Sequence, residues 1–232
     1  MNSYPRKSWH EHLRSLKWKQ GEHMIICAPT GAGKTTMVQE VAQKRSHSVM
    51  FVSKMNDPTI VKEFKGWTRY QSWPKDGAPV WDKQILLWPK PEKTLRDTLT
   101  KQREVFEDAL NKIAREGNRC VIIDESLMMN DPKLIGLATE IGALHYYGRS
   151  AGISMVDLTQ RPSWIPKVIY SSVAHAYVAR TTDDMDAKRL SDLGSVDSRE
   201  VGWNLKVLPD KHDYIYLNPH GDSKPVVVNT RK

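Results

Sequence analysis

Residues 28–35, Ala28-Pro29-Thr30-Gly31-Ala32-Gly33-Lys34-Thr35, have the types and spacing of a loop that wraps a phosphate chain. They meet the pattern G-x-x-x-x-G-K-[ST] at every fixed position but the first, where Ala28 replaces Gly. That position closes the loop, and a small residue fills it. Gly31 and Gly33 allow a tight turn and close approach of the backbone to an anion. The loop amides and the start of the following helix, through Thr36, then face anionic oxygens. Lys34 is expected to reach the β- and γ-phosphates and Thr35 to ligate Mg²⁺, so the pattern calls for ATP and Mg²⁺. An ordinary Gly-rich turn between a strand and a helix has no use for the intact Gly-Lys-Thr.

The run Cys120-Val121-Ile122-Ile123-Asp124-Glu125 sets Asp124 90 residues after Lys34. Four apolar residues carry Asp124 to the end of a buried strand, where it is expected to hold Mg²⁺. Glu125 beside it is the group to orient and activate a water for attack on the γ-phosphate. Hydrolysis needs such a residue; a small-molecule kinase does not. The bland alternative is two surface acids after a strand.

A third stretch, residues 148–162, supplies Arg149 and Gln160. Gln160 is expected at the carboxyl end of a strand, level with Asp124 if the two strands are neighbours, where an amide can bond both the γ-phosphate and the attacking water. Arg149 falls at the other end of the same strand and is poorly placed for the nucleotide of its own chain. It suits the site of a neighbouring subunit, where such an arginine is worth about 10³–10⁵ in rate. A helix-capping role for Arg149 is the alternative, and Arg161 and Arg180 are other candidates.

The elements needed to position these groups are legible. Strands are expected at 23–28, 48–53, 119–124, 153–159 and 175–179. Helices are expected at 33–45, 58–64, 92–116, from Asp131 to Gly148, 165–172 and 183–193. Continuous apolar strands such as Ser48–Ser53 suit a parallel sheet covered on both faces. The alternation gives an α/β three-layer sandwich with a mainly parallel five-stranded core. Residues 213–217 and 226–229 read as a C-terminal β-hairpin. The expected organisation is a basic arm (1–20), an ATPase core (21–208) and a hairpin with tail (209–232).

The chain of 232 residues carries a net charge of +8, unevenly placed. Residues 1–20 hold five Lys/Arg against one acid, and residues 54–103 hold eleven against six. Residues 104–232 are slightly acidic, with sixteen against eighteen. A polyanion, nucleic acid first, is the partner this implies. The arm, with Trp9 and Trp18, is equally suited to track DNA, to meet a neighbouring subunit or to pack on its own domain. Residues 66–91 set Trp67, Trp73, Trp81 and Trp88 among Lys and Arg. They read as a Trp-rich insertion: a platform for stacking bases or, with more weight, the small core of a hairpin. Cys27 and Cys120 read as buried thiols in a reducing compartment. No signal-peptide pattern and no apolar run near the roughly 20 residues of a membrane span occur, so a cytoplasmic location without a membrane partner is expected.

Taken in order, APTGAGKT, VIIDE, R-x-x-G-I-S and TQRP resemble the motif series of the HerA/FtsK superfamily of DNA-pumping ATPases, which includes viral genome-packaging ATPases of the phi29 type. VARTTDDMDAKRL after the fifth expected strand is similar as well, and the resemblance spans roughly residues 22–193. It implies a RecA-like (ASCE) P-loop NTPase with strand order 5-1-4-3-2, working as a homomeric ring (pentamer or hexamer) that moves double-stranded DNA at the expense of ATP. It places Lys34 on phosphate, Thr35 and Asp124 on Mg²⁺, Glu125 on the water, Gln160 as sensor and Arg149 as the arginine given to a neighbour. Lys54 falls where packaging ATPases place pore-facing cations. A viral member would work in the host cytoplasm, against a portal or another capsid component. Ala28 and the segment 66–91 depart from the pattern, and a carboxy-terminal nuclease-like domain is not expected. A nucleoside or small-molecule kinase and a nucleotide-gated binding module are the competing readings.

Overall fold

The computed structural model describes residues 3–76, 80–190, 193, 197–221 and 223–231. Its strands are β1 (Arg6–Ser8), β2 (His23–Cys27), β3 (Ser48–Phe51), β4 (Thr68–Tyr70), β5 (Gln84–Leu87), β6 (Cys120–Ile123), β7 (Ser154–Thr159), β8 (Val173–Ala179), β9 (Asp213–Leu217) and β10 (Val226–Asn229). Its helices are α1 (Trp9–Ser15), α2 (Lys34–Ala42), α3 (Pro58–Glu63), α4 (Leu95–Glu116), α5 (Ser126–Asn130), α6 (Ala138–Tyr147), α7 (Lys167–Ser172), α8 (Asp184–Leu190) and α9 (Ser198–Lys206).

All ten strands form one mixed sheet in the order β1-β10-β9-β8-β2-β7-β6-β3-β5-β4. The five strands expected from the sequence are contiguous within it, as β8-β2-β7-β6-β3, and all are parallel. Alternate residues of each strand face opposite ways, and both faces are apolar. Ile25, Val49, Phe51, Val121 and Ile123 pack with α4, α6, α7 and α9. Met24, Ile26, Met50, Ile122 and Val156 pack with α1, α2 and α3. The two cysteines are buried on opposite faces, Cys27 on the first and Cys120 on the second.

The sheet is twice as wide as the five strands expected, and the Trp-rich segment accounts for part of the difference. β4 pairs with β5 in parallel and β5 with β3, so these two strands extend the main sheet and do not pair with each other as a hairpin. Trp67, Trp73 and Trp88 are buried, and only Trp81, at 82% exposure, is free to meet a partner. Trp88 Nε1 donates to Lys54 O at 2.7 Å, while the Arg69 guanidinium stacks 4.2 Å above its ring. These indoles are structural. Residues 191 and 192 of the helix expected at 183–193 lie outside the described residues.

The arm packs on its own chain. β1 pairs with β10. Trp9 Nε1 donates to Glu40 on α2 at 2.5 Å, and Arg45 lies 3.6 Å over the Trp18 ring. The helix expected from Asp131 begins only at Ala138. Asp131 accepts the Lys133 amide in a turn, and Gly136 follows at φ 72°, which interrupts any helix there. Helices α5 and α9 were not anticipated.

Candidate nucleotide site

The carboxyl ends of the parallel strands β3, β2, β6 and β7 converge, as ligand sites in open α/β sheets do. The phosphate loop leaves β2 there. Its start is tied down by Ala28 N–H donating to Thr159 O on β7 at 3.0 Å. Gly31 and Gly33 have φ of 79° and 95°, the left-handed region that favours glycine. Gly33 occupies the N-cap of α2, with no side chain bonded to the helix start, and Thr35 and Thr36 are half-buried in its first turn. The opening amides of α2 are therefore available to an anion. Lys34 Nζ is folded back onto the loop, donating to Ala28 O and, at 3.2 Å, to Pro29 O. Burial lowers its pKa, against the pull of Glu125.

Asp124 and Glu125 directly follow β6, with 3% and 8% exposure. Burial pushes Asp124 up to about 6, with Lys54 acting in the opposite direction. Its Oδ2 lies 3.5 Å from Lys54 Nζ and meets no closer partner. Burial also raises Glu125, opposed by the hydrogen bond from Gln160 and by Lys34. Gln160 Nε2 donates to Glu125 Oε2 at 3.3 Å, while Glu125 Oε1 is buried with no hydrogen-bond partner. The structure thus brings together Ala28 to Thr36, Asp124, Glu125 and Gln160. Lys54 joins them, ion-paired to Asp57 at 3.1 Å as well as to Asp124.

Among the described residues no cluster of three or more His, Cys, Asp or Glu could cage a metal. Asp124 Oδ2, buried without a hydrogen bond, and the half-buried Thr35 hydroxyl are oxygen donors of the kind a Mg²⁺ ion would take. The residues present fit that ion.

Arg149 lies elsewhere. It follows α6 and precedes β7, so the whole strand, roughly 20 Å at 3.3 Å per residue, separates it from Gln160. Its side chain is exposed and makes no hydrogen bond or ion pair with any described residue. Exposed Tyr146 and Tyr147 adjoin it. Arg161, by contrast, is engaged with Asp183 and, at 3.2 Å, with Asp186. Arg180 is exposed and lines a cavity of about 590 Å³ beside the loop, together with Pro29, Gln160 and Lys211.

Sequence reasoning missed three supports. Asp157, fully buried on β7, accepts from Ser126 Oγ at 3.0 Å and from His145 Nε2 at 2.7 Å. That network fixes the start of α5, and with it the adjacent Glu125. His212 and Tyr214 both reach Ala32 O, at 3.1 and 2.9 Å, from the C-terminal strands. A buried Asp in the middle of the β7 apolar run was a readable signal; the contacts of His212 and Tyr214 depend on tertiary packing.

No family model and no curated protein matches the sequence. Solved structures do match the fold. The genome packaging NTPase B204 from Sulfolobus turreted icosahedral virus 2, in complex with sulfate, superposes with a TM-score of 0.65 at 13% identity, over 93% of this chain and 99% of that one. VirB4 of Thermoanaerobacter pseudethanolicus gives 0.65 at 9% identity, over 91% and 89%. The pCW3 conjugation coupling protein TcpA, with ATPγS, gives 0.53 at 17% identity, over 90% of this chain and 59% of TcpA. The chain has the mixed α/β fold that these structures share.

Proposed function

We propose that this protein is an ATP-hydrolysing DNA translocase that works as a homomeric ring, and that its task is packaging a viral double-stranded DNA genome. The observation that carries the hydrolytic reading is the Gln160–Glu125 contact beside the phosphate loop. A general base held by a neutral amide, with its second oxygen free, is placed to hold an attacking water. The fold shared with a packaging NTPase supports the choice of task.

Lys34 leaves Ala28 O and Pro29 O to follow the β- and γ-phosphates. Thr35 and Asp124 would hold Mg²⁺, which when bound neutralises charge on the phosphates. Glu125 accepts a proton from the water as its oxygen bonds to the γ-phosphorus and the bond to the β-phosphate oxygen breaks. The raised proton affinity of the buried carboxylate suits that role. Gln160 ties the state of Glu125 to the presence of the γ-phosphate. Arg149, free and remote from the loop of its own chain, completes the site of the next subunit. Lys54 is open to two roles, a cation facing DNA or the partner of Asp124. A portal or another capsid component is the docking partner such a task requires.

A nucleoside or small-molecule kinase is the competing enzyme. ATP turnover measured with and without duplex DNA separates the two. The proposal expects DNA to stimulate turnover and inorganic phosphate to be the product. Turnover indifferent to DNA, with phosphate passed to a small acceptor, would establish the kinase instead.

A further inference from the structure

Two donors, His212 just before β9 and Tyr214 on it, converge on one oxygen of the phosphate loop. His212 Nδ1 lies 3.1 Å from Ala32 O, and the Tyr214 hydroxyl lies 2.9 Å from the same atom. A carbonyl oxygen only accepts, so both groups donate, and the proton of His212 sits on Nδ1. Tyr214 and Ala32 are buried. The described residues contain no cis peptide bond. In a planar trans peptide the C=O and the following N–H point in opposite directions. Holding Ala32 O toward the C-terminal strands therefore turns Gly33 N–H to the other side of the loop. That N–H donates to no described group. It stands at the N-cap of α2, next to the helix amides that are open to an anion.

Glycine tolerates either sign of φ, so nothing intrinsic to Gly33 prevents the Ala32–Gly33 peptide from turning over. A turned peptide would present a carbonyl oxygen to the anion in place of an N–H donor. The two bonds to Ala32 O oppose that. Their base is rigid: Asp213, between His212 and Tyr214, is fully buried and accepts from Arg6 on β1 at 2.5 Å and from Asn229 on β10 at 2.7 Å.

We propose that His212 and Tyr214 are positioning residues for the nucleotide. They lock the Ala32–Gly33 peptide so that Gly33 N–H is delivered to a phosphate oxygen of a nucleoside di- or triphosphate. This rests on reading residues 28–35 as a phosphate loop. It makes the C-terminal strands part of the nucleotide site.

The test is equilibrium binding of a fluorescent ADP and of ATPγS to the full chain and to Tyr214→Phe, His212→Phe and His212→Asn, with thermal unfolding measured without nucleotide. Tyr214→Phe removes only the hydroxyl. Asn carries an amide N–H near the place of Nδ1, whereas Phe carries no donor. Each bond lost weakens binding by roughly 2- to 10-fold, the range for a net hydrogen bond. His212→Asn returns affinity to within about 2-fold of the parent, and the unfolding temperatures of His212→Phe and His212→Asn agree. Equal affinity in all four proteins overturns the proposal, as does equal loss in His212→Phe and His212→Asn. A parent chain that binds neither nucleotide refutes the phosphate-loop reading itself, an outcome distinct from variants that bind as well as the parent.

Discussion

Gln160 Nε2 donates to Glu125 Oε2 across 3.3 Å, and Glu125 Oε1 is left without a partner. Gln160 thus restrains one carboxylate oxygen and leaves the other without a hydrogen bond. Glu125→Gln keeps the shape of that pair and removes the base. It is expected to lower the single-turnover hydrolysis rate by about 10²–10⁴-fold, the range for general base catalysis, with ATP affinity within about 2-fold of the parent. An unchanged rate would show that Glu125 does not activate the water. Gln160→Ala leaves Glu125 in place and is expected to cost less.

Arg149 precedes β7 and the phosphate loop follows the neighbouring β2, so the two lie at opposite ends of adjacent parallel strands, and the proposed ring gives Arg149 to the site of the next subunit. Arg149→Ala is expected to bind ATP normally and to lose turnover. Mixed with Glu125→Gln subunits, themselves inactive, it regains part of the activity, because some interfaces then pair an intact Glu125 with an intact Arg149. Full activity of Arg149→Ala by itself would remove the residue from the mechanism.

Lys54 Nζ stands 3.1 Å from Asp57 and 3.5 Å from Asp124. If its work is done at Asp124, Lys54→Ala changes the Mg²⁺ concentration needed for half-maximal nucleotide binding and leaves DNA affinity at saturating Mg²⁺ unaltered. A loss of DNA affinity with no change in Mg²⁺ dependence would assign Lys54 to the polymer.

His12 and His23 are both pushed down to about 4, chiefly by burial. As pH falls below the ordinary value of 6.5, the unfolded imidazoles take up protons before the folded ones. Stability contributed by the neutral rings is therefore complete above pH 6.5 and is lost as pH falls toward 4. Each such proton costs about 1.4 kcal/mol per pH unit. Asp124, pushed up to about 6, acts in the opposite sense below pH 6 and offsets about one proton of this slope. Urea midpoints from pH 7 to 4.5 are expected to decline. His23→Asn, which can keep an acceptor for the Met155 amide now bonded to His23 Nδ1, flattens the slope by about one proton. A variant as steep as the parent would show that His23 is not the titrating group.

The nucleotide side of the fold was legible because local chemistry specifies it. Gly31 and Gly33 announce their positive φ, the apolar run before Asp124 announces a buried strand, and Asp57-Pro58 does cap a helix. What was not legible depends on contacts distant in sequence. β4 and β1 are three residues each and carry no pattern long enough to read. Whether Trp67 and Trp88 served a hairpin or the main sheet turned on parallel pairing across a long connection. The helix expected from Asp131 failed on Gly136, whose break outweighed the apolar spacing around it. At the site, the types of Glu125 and Gln160 gave their roles, but their contact needed the β6–β7 register. Nothing near His212 pointed to a loop 180 residues away.

In the proposed ring, one chain completes the site of the next. The most direct test is the ATPase rate per subunit, measured across a wide range of protein concentration with saturating duplex DNA. A ring of this kind gives a specific rate that rises steeply over the range where subunits assemble, then levels off, and falls when DNA is withdrawn. A specific rate that is constant from the most dilute solution upward, with or without DNA, would contradict it.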